Sequence, residues 1–172
     1  MAKLLQVSDW ATLANTIDKF GRSVIKASRK ELSEKKRRQT GSGRWITSNG
    51  NATGNLYKSL SFKRKNLSSE FSMAYYGYWK DQGRKPGKGV PVDALNAWIR
   101  IKPVRPRDEK GRFIARTPAT MKSLSFLINR SIKEHGIKKT RFFSGPFELY
   151  YKKLDEEIRG AITKDLDLKF AE

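Results

Sequence analysis

The residues that could do chemistry are few. The chain has one histidine, no cysteine and 17 carboxylates in 172 residues. Without cysteine there is no disulfide and no thiolate metal site, and a reducing compartment is compatible with the composition. His135 falls in the last turn of an expected helix, just before Gly136, where the helix end favours a partly cationic imidazole, so its reading is structural. Zinc sites, Ser-His-Asp triads and Cys-His pairs therefore have no residues to be built from. Asp155, Glu156 and Glu157 are consecutive on an expected helix and diverge around it instead of converging on a metal. Glu148 and Asp155 stand two turns apart, too loosely for a two-metal nuclease. The segment GRKPGKG at 83–89 is rich in glycine and lysine but lacks the GxxxxGK[ST] pattern of a phosphate-cradling loop. Tyr75-Tyr76-Gly77-Tyr78 faintly resembles an endonuclease signature, without the Arg and Glu that such an enzyme needs on following helices. The expectation from these residues is a protein that takes no cofactor and no metal.

What remains is charge. Thirty-seven basic and 17 acidic residues give a formal net charge of +20. Residues 1–60 carry 12 basic and 4 acidic side chains, residues 61–117 carry 14 and 5, and residues 118–172 carry 11 and 8. The surplus is concentrated in the first two thirds. Such a chain repels itself, and a polyanion relieves the repulsion; nucleic acid is the commonest partner of this kind. No apolar run approaches the ~20 residues of a membrane span, and MAKLLQVSDW has no long apolar segment of a secretory signal.

The elements that must position these charges follow from periodicity. Trp10, Leu13, Ile17, Phe20, Val24 and Leu32 recur at helical steps, with Ala27 and Ser28 on the same face. They predict a helix from Ser8 to about Arg38, with Ser8 as N-cap, Asp9 in the first turn and Lys35-Lys36-Arg37-Arg38 at its negative end. Residues 39–53 have loop composition, interrupted by Arg44-Trp45-Ile46; Trp45 either folds back onto its own core or reaches a neighbour or a base. Gly54 to Leu60 is a short helical signal. Leu60, Phe62 and Arg64, then Phe71, Met73 and Tyr75, alternate with polar residues and predict an antiparallel hairpin with its turn at 65–69. Tyr76 to Gln82 reads as a turn or short helical piece, and residues 83–91 fit no regular element. Val92 to Ile101 is an expected helix with Leu95, Trp98 and Ile99 on one face. Residues 103–117 form a basic loop or arm turning at 108–111. Thr117 and Pro118 open a helix with Met121, Leu124, Leu127, Ile128 and Ile132 as its buried stripe, closed by Gly136 with Ile137 packing behind it. A last helix is expected from Pro146 to Thr163, with Phe147, Tyr150, Tyr151, Leu154, Ile158 and Ile162 as its stripe, followed by a strand in which Leu166, Leu168 and Phe170 alternate with polar residues and could complete the hairpin sheet. The sum is one α+β domain over 1–172: a small antiparallel sheet against a long N-terminal helix, two to three further helices, and extended basic loops.

Four segments in this order resemble the tail-completion or neck proteins of tailed phages, a family that includes head–tail joining and minor tail proteins. They are the long amphipathic N-terminal helix; TGNLYKSL at 53–60, similar to a TGxLxxSI element that leads into a hairpin; AYYGYWKDQG at 74–83, similar to YAxYxExG; and GIKKTRFFSGPF at 136–147, similar to GIxxxxFLxPA before the last helix. The chain departs from the pattern at Asp81-Gln82 and carries longer basic loops at 83–91 and 103–117. The resemblance implies a structural virion protein of the neck or tail, not an enzyme, assembled in the host cytoplasm. It implies a homo-oligomeric ring, often a hexamer, joined to portal or connector and tail proteins around packaged double-stranded DNA.

A ring of this kind needs phosphate contacts without sequence readout, and ordered contacts between copies. The cations expected at the phosphates are Lys63, Arg64 and Lys65 of the hairpin, Arg84, Lys85 and Lys88 of the first loop, and Arg105, Arg107 and Arg112 of the second. The aromatics expected at the subunit interface are Trp45, Tyr76, Tyr78, Trp79 and Phe113. The alternative reading is a stand-alone, sequence-nonspecific nucleic-acid-binding protein, although no helix-turn-helix, RRM or zinc-finger pattern is present.

Overall fold

The computed structural model describes residues 10–51, 53–101 and 104–171. The fold is α+β, with six helices and two separate two-stranded antiparallel sheets among the described residues. Its contacts group into two compact units: Met1–Ser33 with Asn55–Gly77 and Arg141–Glu172, and Glu34–Gly54 with Tyr78–Thr140.

The first unit is organised on α1 (Ala11–Ser33). Leu13, Ile17, Phe20, Val24 and Leu32 are buried as the periodicity predicts, and Ile25 joins them. Ser8 and Asp9 lie outside the described residues. The first N–H groups of α1 are held instead from the far end of the chain: those of Thr12 and Leu13 donate to the two oxygens of Asp165, each at 2.9 Å. A short α2 (Asn55–Ser59) buries Leu56 and leads into the hairpin β3 (Ser61–Lys65) and β4 (Ser68–Ser72). The turn is tighter than the sequence suggests: Asn66, at φ 55°, and Leu67 close it, because asparagine tolerates the left-handed region. Phe62 pairs with Phe71 across the ladder, ring centroids 5.3 Å apart. The Phe62 ring lies so close to α1 that a Cβ on Gly21 would sit 2.2 Å from it, so the glycine that weakens the helix is what lets the hairpin approach.

Helix α6 (Ser144–Phe170) packs on α1, with Ala161 buried beside Leu13 and Ile17 and with Ile158 and Ile162 against them. The strand expected over Leu166–Phe170 is not formed; the segment is the last turns of α6. Ile158, Ala161, Ile162 and Asp165 follow helical spacing, and anchoring Asp165 to α1 holds that period past Thr163. Leu168 and Phe170 are left exposed, and β3–β4 stays two-stranded. In the same unit Phe147 stacks with Phe143 and Tyr151 and meets Phe20 and Phe71 edge-on, while the fully buried Phe142 clusters with Ile25, Leu32, Leu56 and Leu60. Tyr151, expected in the buried stripe, is half outside it at 59% exposure.

The second unit opens where α1 stops. Lys36–Gln39, expected as the end of the helix, is strand β1 and pairs with β2 (Trp45–Ser48), inside the segment expected as loop. The apolar stripe of α1 ends at Leu32, so nothing holds the cation run in a helix, and Gly43 at φ 85° supplies the turn. Helix α3 (Tyr76–Gln82) straddles the boundary between the units. Helix α4 (Val92–Ile101) buries Leu95 and Ile99, but Trp98, expected beside them, is exposed. Helix α5 (Pro118–His135) starts as expected: the Thr117 side chain accepts from the Thr120 N–H, and the Thr120 hydroxyl accepts from the Thr117 N–H. Its buried position is Ser125, which donates to Asn96 Oδ1 at 2.6 Å; Leu127, expected in the stripe, faces solvent. Gly136 ends α5 at φ 70°. Ile137 does not pack back on the helix; it is exposed and exchanges both backbone hydrogen bonds with Arg84 at 2.8 Å.

Candidate nucleic-acid and assembly surfaces

In the first unit, Lys63, Arg64 and Lys65 lie consecutively on β3. Alternation sends neighbouring side chains to opposite faces, so the three cations do not form one patch. Arg64 Nε lies 3.2 Å from Asp18 of α1, and its guanidinium also donates to the Asn66 carbonyl. Lys65 pairs with Glu70 at 3.3 Å. Tyr75, expected on the buried sheet face, lies beyond the end of β4 and is 86% exposed. Its ring meets that of Tyr76 edge-on at 5.9 Å. Burial, and then the neighbouring Tyr75, push the Tyr76 phenol above its ordinary value, so it stays a neutral hydrogen-bond donor at any physiological pH.

One set of first-unit cations escapes a reading based on loops. Arg22, Lys26, Arg29 and Lys30 project from α1 at steps of four, three and one, and line an open groove of about 890 Å³ with Arg64 and Tyr57. Arg29 is held in place: its guanidinium donates to the Leu60 carbonyl at 2.8 Å and lies 5.1 Å from the Tyr57 ring centroid. The signal was in the sequence. These positions sit between the apolar residues of α1, and the same 3.6-residue period that defines the core face defines a cationic face away from it.

In the second unit, the 83–90 loop is pinned more firmly than its composition suggests. Arg84 bridges to Ile137, the Gly87 N–H donates to the Lys133 carbonyl at 2.9 Å, and Asn129 exchanges hydrogen bonds with both backbone groups of Val90. Arg84 also donates to the Gly89 carbonyl, while Lys85 and Lys88 are exposed at the tip. The second basic loop turns at 108–111 as expected. Arg107 and Phe113 form an antiparallel bridge, and the Arg107 guanidinium sits 4.0 Å from the Phe113 ring centroid, with Arg105 at 5.9 Å. Arg112 pairs with Asp108 at 2.9 Å. Arg105, Arg107 and Phe113 are thus brought together.

Trp45 is 56% exposed on β2, with the Arg37 guanidinium 5.0 Å from its ring. It folds onto its own hairpin, yet keeps a face in solvent. Tyr78 and Trp79 are exposed on α3 and meet edge-on at 5.3 Å. Asp81, on the same helix, is buried.

Among the described residues, no group of three or more His, Cys, Asp or Glu is placed to hold a metal ion. None of the described helices is long and apolar enough to cross a membrane. His135 is exposed, its Nδ1 3.1 Å from the Ser131 carbonyl. Comparison with family models, curated proteins and solved structures returns no match.

Proposed function

We propose that this chain is a structural protein of a phage neck or tail, which forms an oligomeric ring joining head to tail around the DNA channel. The observation that carries the reading is the exposure of Tyr75, Tyr78 and Trp79 within the AYYGYWKDQG segment. In a chain of net charge +20, large amphipathic rings left in solvent are the material of interface hot spots. Two other resembling segments support it by their place in the fold. TGNLYKSL builds α2, buries Leu56 and Leu60 and enters the β3–β4 hairpin; GIKKTRFFSGPF supplies the fully buried Phe142 and the start of α6.

In this role the protein performs no bond chemistry. Its exposed cations neutralise phosphates without reading bases, which suits DNA that must pass in any sequence. The exposed aromatics hold copies to one another and to portal, connector and tail proteins. Mass photometry and electron microscopy of the purified protein, with and without its connector partner, test the proposal. A closed ring, and presence in virions, is the expected result. A strictly monomeric protein that is absent from virions overturns it, and tight DNA binding by that monomer establishes a stand-alone nucleic-acid-binding protein instead.

A further inference from the structure

We infer that the open groove lined by α1, α2 and β3 is a binding site for the sugar–phosphate backbone of duplex DNA. The identity of the polyanion rests on the proposed function; the site itself rests on the geometry of the first unit. Five cations line the groove, Arg22, Lys26, Arg29 and Lys30 from α1 and Arg64 from β3. The one carboxylate among the lining residues, Asp18, is already paired with Arg64 at 3.2 Å. A cationic ligand finds nothing there, whereas an anion meets a surplus of charge over a partly apolar floor that lowers the local dielectric.

Shape selects the kind of anion. A smaller depression of about 400 Å³, lined by Asn15, Asp18, Lys19, Arg22, Ser23 and Lys26, continues the row toward the start of α1. From Lys19 to Lys30 the helix rises about 16 Å at 1.5 Å per residue, so the cations form a track and not a point. A track matches a repeating charge, one phosphate per about 3.4 Å of axis along each DNA strand. Two aromatic residues line it: Tyr57 already has the Arg29 guanidinium against its ring, and the Phe62 ring is packed inward against Gly21 and Phe71. Base binding by single strands uses successive open aromatic faces, and this groove does not offer them. It therefore suits a stacked duplex gripped by its backbone. Arg29, fixed by the Leu60 carbonyl and the Tyr57 ring, is ordered before the ligand arrives and loses little freedom on binding.

The test is fluorescence anisotropy of the full chain with a 30-base-pair duplex across a salt series. The variant Arg22→Gln/Lys26→Gln/Lys30→Gln removes three phosphate contacts. It is expected to lower the slope of log K against log salt by about 3, at about 0.9 per contact, and to weaken binding at least about tenfold at physiological salt. Lys152→Gln/Lys153→Gln/Lys164→Gln on α6 removes the same charge elsewhere on the first unit and is expected to leave the slope unchanged. Equal effects of the two variants overturn the site. Lysine acylation of the wild-type protein needs no variant to fold: with duplex bound, Lys26 and Lys30 are expected to be protected while Lys152 and Lys153 are not, and labelling of Lys26 and Lys30 at the free rate overturns the proposal. Stronger binding to a single strand of the same sequence also overturns the duplex assignment. Mass photometry of the same samples separates the two ideas. A ring that forms while the groove variant binds DNA like wild type removes the groove alone; no ring, with the groove variant impaired, removes the neck reading alone.

Discussion

Asp165 and Gly21 show how much single positions decide here. Asp165 is 4% exposed and accepts from the first N–H groups of α1. Burial alone would push its carboxyl up, but hydrogen bonds from the Thr12 side chain and from the backbone of Leu13 and Thr12 outweigh it, and the group is held below the ordinary aspartate value. A depressed carboxylate stabilises the fold fully above the unfolded value of about 3.9, and that contribution fades as pH falls through the lower folded value. Asp165→Asn is expected to cost about 1–2 kcal/mol at pH 7, with the gap to wild type closing as pH falls through the depressed folded value, in thermal melts across a pH series. Gly21→Ala gains helix propensity but drives a methyl into the Phe62 ring; urea unfolding is expected to show a net loss of about 1–3 kcal/mol. Neither role could be read from the sequence. Asp165 looks like one residue of an alternating run, and Gly21 looks like a defect, because both gain meaning only from a partner distant in the chain.

At the scale of elements, what was legible followed from local rules. Thr117 and Pro118 mark the start of α5 because capping acts within one turn, and Thr117→Ala is expected to cost about 1 kcal/mol, lowering Tm without changing DNA binding. The apolar period of α1 marks its buried face for the same reason. What was missed lies where two periods compete. Leu166, Leu168 and Phe170 alternate over too few residues to outweigh the helical row that ends in Asp165. A helix predicts that Leu168→Glu leaves helical circular dichroism unchanged and shifts stability by less than about 0.5 kcal/mol, since Leu168 is already in solvent. The cation run after Leu32 was a helix end by charge and a strand in fact, because its pairing partner, Trp45–Ser48, lies across a glycine turn.

For the whole molecule, the α+β class was legible, since it needs only the count and kind of periodic segments. The division of contacts into two units was not: segments from the start, middle and end of the chain combine in the first. The basic surplus was legible as a sum. Its disposition was legible only in part, because Arg64, Lys65 and Arg112 are offset by Asp18, Glu70 and Asp108, while the unforeseen row on α1 lines an open groove. The proposed ring predicts that Tyr78→Ala/Trp79→Ala remains folded by circular dichroism yet shifts mass photometry from ring to monomer, by more than about tenfold in the concentration needed for assembly.

The hold of Asp165 on Thr12 and Leu13, about 150 residues away, also sets an order of events during synthesis. Helix α1 leaves the ribosome early, with Leu13 and Ile17 in need of Ala161 and its neighbours on α6. At about 5–20 residues per second those partners follow on the order of ten seconds later. The first unit therefore closes last, after the whole of the second has emerged, and until then the nascent chain displays an apolar helix face to whatever chaperone or sister chain is near.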